Sequence, residues 1–295
     1  MAIKENCDFY KRHLVVAGGL TALAGSSALW AQVPATPAAP KKAVPLVANA
    51  NGWRLLINEA VTGETNSFVL TSRYRPLADF LSTQFKGRQI GVEPIVDIKR
   101  FMSMAQSSSK PDLVFGKSVN QLAKLVRDSG YQPLVRRADA YKAAFIVNKD
   151  SPIKTLADAG GVKILMPDES AATTAVALAE LRRQKVAATQ VTHLKFQEAV
   201  AQQIKSGMGQ VGVVNPTTAK KWVEEGGRVI AETQPVVNWS LLAGPRMPAE
   251  MVQQLREALF SMNTQASPVL MGLGVKEWAK AERKDYLDLL DYTKE

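Results

Sequence analysis

Apolar positions along the chain recur with two alternating periods. Residues 53–57 are a short apolar run bounded by polar neighbours, the pattern of a buried strand. Beyond Ser72, a residue type that caps helix starts, Leu77, Phe80, Leu81 and Phe85 fall at helical spacing. Residues 90–96 alternate like a strand, 98–105 are helical, 113–115 are a strand and 119–127 a helix closed near Gly130. Further strands are predicted at 134–136 and 143–147. A second run repeats the scheme, with strands at 162–166, 191–196, 211–214 and 228–232, and 236–242 is apolar again. Its helices fall at 170–184, 197–206, 216–225 and 248–263, followed by helical segments to the end. Strand–helix alternation with connections this short implies α/β units, mainly parallel sheets covered by helices. Two such units predict two lobes, with residues 141–149 and 235–243 placed to cross between them. Residues 51–142 would open lobe 1, 143–235 would form lobe 2, and 236–295 would return to lobe 1 and end in helices. Open parallel sheets bind ligands at the carboxyl ends of their strands, which puts the site in the interlobe cleft.

The first fifty residues follow another pattern. Lys4, Lys11, Arg12 and His13 precede an uncharged apolar stretch over 14–30 that ends at Ala31. A charged start, a short apolar run and a small residue at the cut read as a secretory signal over 1–31. The run falls short of the ~20 apolar residues of a membrane-spanning helix. Residues 32–50 contain four prolines and many alanines and read as an extended linker.

Composition then narrows the chemistry. With 46% hydrophobic and 22% charged residues, the 295-residue chain has ordinary globular make-up. Cys7 is the single cysteine, so no internal disulfide can form, and the histidines are His13 and His193. After cleavage at Ala31 only His193 would remain, too little for a two-histidine metal site or a Cys/His dyad. His193 alternates with Thr192, Leu194 and Phe196 as an ordinary strand residue does. Gly207, Gly209 and Gly212 spell a G-x-G-x-x-G, but it follows a helix and precedes a strand, the reverse of a dinucleotide site. The net charge of +10 comes from basic residues scattered in pairs, which argues for solvated charge and against nucleic acid.

The positive signals are loops that end strands and open helices. With Ser72 as cap, Arg73, Tyr74 and Arg75 would occupy a first turn, where backbone N–H groups are free. Cations there oppose the helix dipole unless an anion is shared with the amides; two exposed arginines at a helix start fit the pattern equally well. Ser170 through Thr174 would open the facing helix with hydroxyl and amide donors, or be a plain cap. Lys117 after Gly116, and Asn215 with Thr217 around Pro216, open one further helix in each lobe.

Three segments carry a family resemblance: YRPLADFL at 74–81, PDLVFG at 111–116 and DSPIKTLAD at 150–158. In order and spacing, residues 52–262 resemble the phosphate/phosphite/phosphonate-binding proteins of ABC transporters. The resemblance implies the two-lobed type II periplasmic-binding-protein fold, with hinge crossovers and a ligand closed between the lobes. Phosphonate-binding members commonly carry a Ser-Thr-Ser-Gly turn where this chain has Ser170-Ala171-Ala172-Thr173. The expectation is therefore an exported, monomeric protein without cofactor, metal or catalysis, binding a small oxyanion for an ABC permease. Service to a membrane sensor kinase is the alternative, and an enzyme on the same fold a more distant one. Arg73, Arg75 and Lys117 would supply charge, Ser170, Thr173, Asn215 and Thr217 polar donors, and Tyr74 and Tyr141 cleft walls.

Overall fold

The computed structural model describes residues 52–60 and 66–295, so the expected signal and linker and most of the loop after Glu59 lie outside the described residues. The chain runs β1 (Trp53–Asn58), α1 (Ser67–Gln84), β2 (Ile90–Pro94), α2 (Ile98–Gln106), β3 (Leu113–Gly116), α3 (Val119–Asp128) and β4 (Gln132–Arg137). It continues through β5 (Ala144–Val147), β6 (Lys163–Met166), α4 (Ala172–Arg183), β7 (Gln190–His193), α5 (Gln197–Lys205), β8 (Val211–Val214), α6 (Pro216–Glu224) and β9 (Arg228–Glu232). The last elements are β10 (Ser240–Ala243), α7 (Ala249–Gln265), α8 (Ser267–Gly272), β11 (Trp278–Lys280) and α9 (Arg283–Thr293).

Two sheets result, ordered β11-β4-β10-β3-β1-β2 and β7-β6-β8-β5-β9. β1 pairs in parallel with β2 and β3, and β6 with β7 and β8. The strands that follow the crossovers, β5 and β10, run antiparallel to their neighbours. A chain entering a lobe from the hinge arrives at the carboxyl ends of the parallel strands and must run away from them. Leu55, Leu56 and Ile57 of β1 are fully buried on both faces, as helix-covered parallel strands require.

The crossovers are residues 138–143 and 233–239, shorter than the sequence pattern suggests, because 144–147 and 240–243 are already strands. They pair with each other: Tyr141 and Val236 exchange N–H···O bonds of 2.9 Å, and the Thr233 N–H donates to the Ala143 carbonyl at 2.9 Å.

Two boundaries differ from expectation for clear reasons. α1 begins at Ser67, where Asn66 accepts from the Phe68 and Val69 N–H groups at 2.9 and 3.3 Å. Ser72 is therefore inside the helix, and so is Pro76, which withholds one backbone hydrogen bond. Burial of Leu70, Tyr74, Leu77, Ala78 and Leu81 on one face of α1 offsets that loss. Near the C-terminus, Trp278 belongs to a short strand rather than a helix. Asn263 holds it at both ends, accepting from the Trp278 N–H at 2.9 Å and donating to its carbonyl at 3.0 Å. The strand then completes the free edge of β4.

Candidate functional site

The carboxyl ends of β1, β3, β6 and β8, the hinge, and the starts of α4, α5 and α6 enclose a cavity of about 490 Å³. Its lobe-1 wall is built on Glu59, one residue beyond β1 and 4% exposed. The Tyr74 hydroxyl donates to Glu59 Oε1 at 2.7 Å, and Arg73 Nη1 to Oε2 at 2.7 Å. Lys117 Nζ lies 3.0 Å from the same Oε2. Burial works against the carboxylate charge, but Lys117, Tyr74 and Arg73 outweigh it and hold the Glu59 pKa below its ordinary value. Burial lowers the Lys117 pKa, against the pull of Glu59 and with help from Arg73 and Arg137 nearby.

Lys117 is aimed by the strand before it. A Cβ at Gly116 would sit 2.9 Å from Leu122 Cδ2, so a larger residue there would force the Leu122 side chain to shift where α3 packs against the end of β3. The Lys117 ammonium lies 4.2 Å from the centroid of Trp239, and the Arg137 guanidinium 4.7 Å from it. Arg137 also pairs with Asp139 at 2.6 Å. An ammonium has three hydrogens; one points to Glu59, leaving two for the ring face and the cavity.

The lobe-2 wall is a polar relay. The Tyr141 hydroxyl from the hinge and Thr173 Oγ1 lie 2.5 Å apart, and Gln197 Nε2 donates to the same Oγ1 at 2.8 Å. Gln197 Oε1 in turn accepts the Asn215 N–H at 3.1 Å. Burial raises the Tyr141 pKa, so the phenol stays protonated. Ala171 occupies the cap position of α4 and offers no side-chain acceptor, so no side chain caps the first-turn amides there. α6 is different: Asn215 Oδ1 already takes the Thr218 N–H at 2.8 Å, and Pro216 has none to give.

The structure thus gathers Lys117, Tyr141, Thr173, Asn215 and Thr217 around one cavity. Tyr74 is fully buried and Arg73 half-buried, and both reach Glu59 rather than the open space. Arg75 is exposed in the middle of α1, outside the cavity lining, because the helix begins five residues before Ser72. Ser170 is also outside the lining: its Oγ donates to Asp168 Oδ1 at 2.6 Å. Its carbonyl joins the lobes, accepting from Ser118 Oγ, Asn120 Nδ2 and Gln121 Nε2 at 3.2 to 3.3 Å. Arg137, Gln197 and Trp239 also line the cavity and were missed by sequence reasoning, which left the role of the stretch beginning at Glu59 open. For Glu59 the signal was its place, a carboxylate at the end of the first buried strand.

His193 contacts the Pro167 carbonyl through Nδ1 at 2.8 Å and does not line the cavity. Among the described residues, no group of three His, Cys, Asp or Glu side chains could hold a metal ion. No described helix is long and apolar enough to cross a membrane.

Residues 60–286 match the family model described as the periplasmic substrate-binding protein of phosphonate ABC transporters. No curated protein sequence matches the chain. Among solved structures, XAC2383 from Xanthomonas citri bound to ATP is similar, with a TM-score of 0.69 at 16% identity, covering 82% of this chain and 98% of that one. PhnD1 from Prochlorococcus marinus in complex with methylphosphonate gives a TM-score of 0.66 at 14% identity, covering 82% and 97%. The aliphatic sulphonate binding protein SsuA from Escherichia coli gives 0.56 at 15%, covering 83% and 84%. At these identities the likeness is one of fold: two lobes, each a sheet flanked by helices, as in the periplasmic binding proteins.

Proposed function

The chain belongs to the family of periplasmic substrate-binding proteins of phosphonate ABC transporters, and on that premise we propose that it captures a phosphonate, phosphate or phosphite oxyanion in the interlobe cavity and presents it to a permease. The observation that carries this reading is the pairing of two unlike donors across one cavity. Lys117 supplies a buried ammonium from lobe 1, and the uncapped first turn of α4 with Thr173 supplies neutral donors from lobe 2. An oxyanion bridging both would favour the closed arrangement of the lobes, which is the signal a permease can read. The Ala171 N–H is taken by the Asp168 carbonyl at 3.0 Å, so the amides of Ala172 and Thr173 in the first turn of α4 would do what hydroxyls do in the Ser-Thr-Ser-Gly turn. Arg73 and Tyr74 act at one remove, fixing Glu59 and through it Lys117. The reading assigns no bond-breaking step, and it takes the protein to be exported to the periplasm.

The test is thermal denaturation of the chain lacking residues 1–31 with inorganic phosphate, phosphite and methylphosphonate, followed by calorimetric titration of the best. A ligand at a hundred times its Kd adds about 2.7 kcal/mol of stability. For a domain of this size that is a Tm rise of roughly 5–10 °C. Lys117→Met should weaken binding at least tenfold, since a charge-assisted hydrogen bond is worth ~1.5–3 kcal/mol. No Tm rise with any of the three anions overturns the reading.

A further inference from the structure

The cavity is larger than a bare oxyanion needs and does not stop at the cleft. About 490 Å³ lies within the ~300–1,000 Å³ of sites that enclose whole organic molecules. Its excess volume has a direction. α5 lines the cavity with Gln197, Ala201, Gln202 and Lys205, a single helical face from its first residue to its last. At 1.5 Å per residue that face extends about 12 Å from the cleft. α6 lines it with the matching stripe Thr218, Lys221, Trp222 and Glu225. Both helices follow strands whose carboxyl ends face the cleft, so both run away from it, and the groove between them leads outward from the oxyanion seat. Lys205 and Glu225 pair across the two helices at 2.9 Å, at the far end of both stripes.

We propose that the ligand is an organic phosphonate or phosphate monoester whose polar substituent, several atoms longer than a methyl group, lies in the groove between α5 and α6. This rests on the oxyanion reading above. The floor is Ala201 and the buried indole of Trp222, which accommodates a carbon skeleton. The walls are polar, and among the described residues Glu198 and Lys221 line the cavity without an ion-pair partner. A substituent with hydroxyl or amino groups would satisfy both; a plain alkyl chain would leave both solvated and gain little.

Calorimetric titration of the chain lacking residues 1–31 with methylphosphonate, glycerol 3-phosphate and adenosine 5′-monophosphate tests this. The better of the two esters should bind at least about tenfold more tightly than methylphosphonate. Gln202→Trp, at an exposed position on α5, should abolish that advantage while leaving methylphosphonate affinity within about threefold, a difference under 1 kcal/mol. Ala201→Phe is the second variant that fills the groove, and the Tm of each shows whether it folds. Methylphosphonate binding as tightly as both esters, with neither variant altering any affinity, overturns the groove proposal but leaves the oxyanion reading standing. Failure of all three ligands to bind overturns both.

Discussion

Replacing Glu59 with glutamine should separate stability from affinity. The carboxylate is nearly inaccessible and takes the Tyr74 hydroxyl, one Arg73 hydrogen and the Lys117 ammonium within 3.0 Å. Glutamine keeps the volume and can still accept from Tyr74, but it no longer neutralises two cations. Removing one partner of a buried pair typically costs ~3–5 kcal/mol. The retained hydrogen bond and the avoided burial of a carboxylate pull the expected cost toward about 3 kcal/mol. For a domain of this size that lowers the apo Tm by roughly 6–12 °C. The effect on an anion has the opposite sign. A unit negative charge a few ångströms from a bound oxyanion costs about 1 kcal/mol in water and about 4 at the dielectric near a protein surface. Its removal should tighten phosphate or methylphosphonate binding about tenfold, the lower part of that range. The assays are thermal unfolding of the apo protein and calorimetric titration at pH 6, low enough to favour the Lys117 ammonium. An unchanged Tm would mean that Glu59 does not bear the ion pairs described. Weaker anion binding would mean that the orientation it gives Lys117, or a proton it accepts from the ligand, outweighs its repulsion.

Asn66→Ala should cost about 1 kcal/mol of stability, the usual loss of an N-cap, while Ser72→Ala should cost almost nothing; equal effects in thermal unfolding would contradict the observed start of α1. Glu180 is buried, which favours its neutral form, but Arg183, Gln184 and the Tyr292 hydroxyl more than compensate and hold its pKa at about 2, against 4.5 unperturbed. Its contribution, ~3.4 kcal/mol reduced to about 2–3 by water screening at the half-exposed Arg183, is thus complete above pH ~4.5 and lost as pH falls toward 2. Glu180→Gln should flatten that stretch of the urea-stability profile, and an unaltered profile would discount the cluster. Saturating ligand should reduce the radius of gyration in solution scattering if the lobes close on it; proven binding without compaction would point to a cavity already closed in the free protein.

The parts legible in the sequence were those set by local periodicity. β1, α2, α3, β8 and β9 fall within about two residues of the expected spans, because each has an apolar face of fixed period and a clear break at its end. α1 was misplaced because the cap that matters, Asn66, stands eleven residues before Leu77, and Pro76 makes a later start look natural. That single misplacement turned Arg75 into a candidate ligand contact and hid the role of Arg73. β11 was unreadable for another reason: three residues become a strand only because Asn263 and the edge of β4 receive them.

The site follows the same division. Lys117, Thr173, Asn215 and Thr217, which line the cavity, could be placed there in advance because each stands where a strand hands over to a helix, a position fixed by local pattern. Glu59 meets Lys117 and Tyr74 only once β1 and β3 are neighbours, and Trp239 meets Lys117 and Arg137 only once β10 has inserted beside β3 and β4. Those contacts join residues far apart in the chain, and they decide how the cations behave. A local reading counts Arg73 and Lys117 as two charges awaiting an anion. The folded chain gives both of them Glu59 first, so a ligand meets a site already partly neutralised. Selectivity must then come as much from neutral donors at α4 and from the shape of the groove as from charge, which is why the stability and affinity effects of Glu59→Gln should have opposite signs.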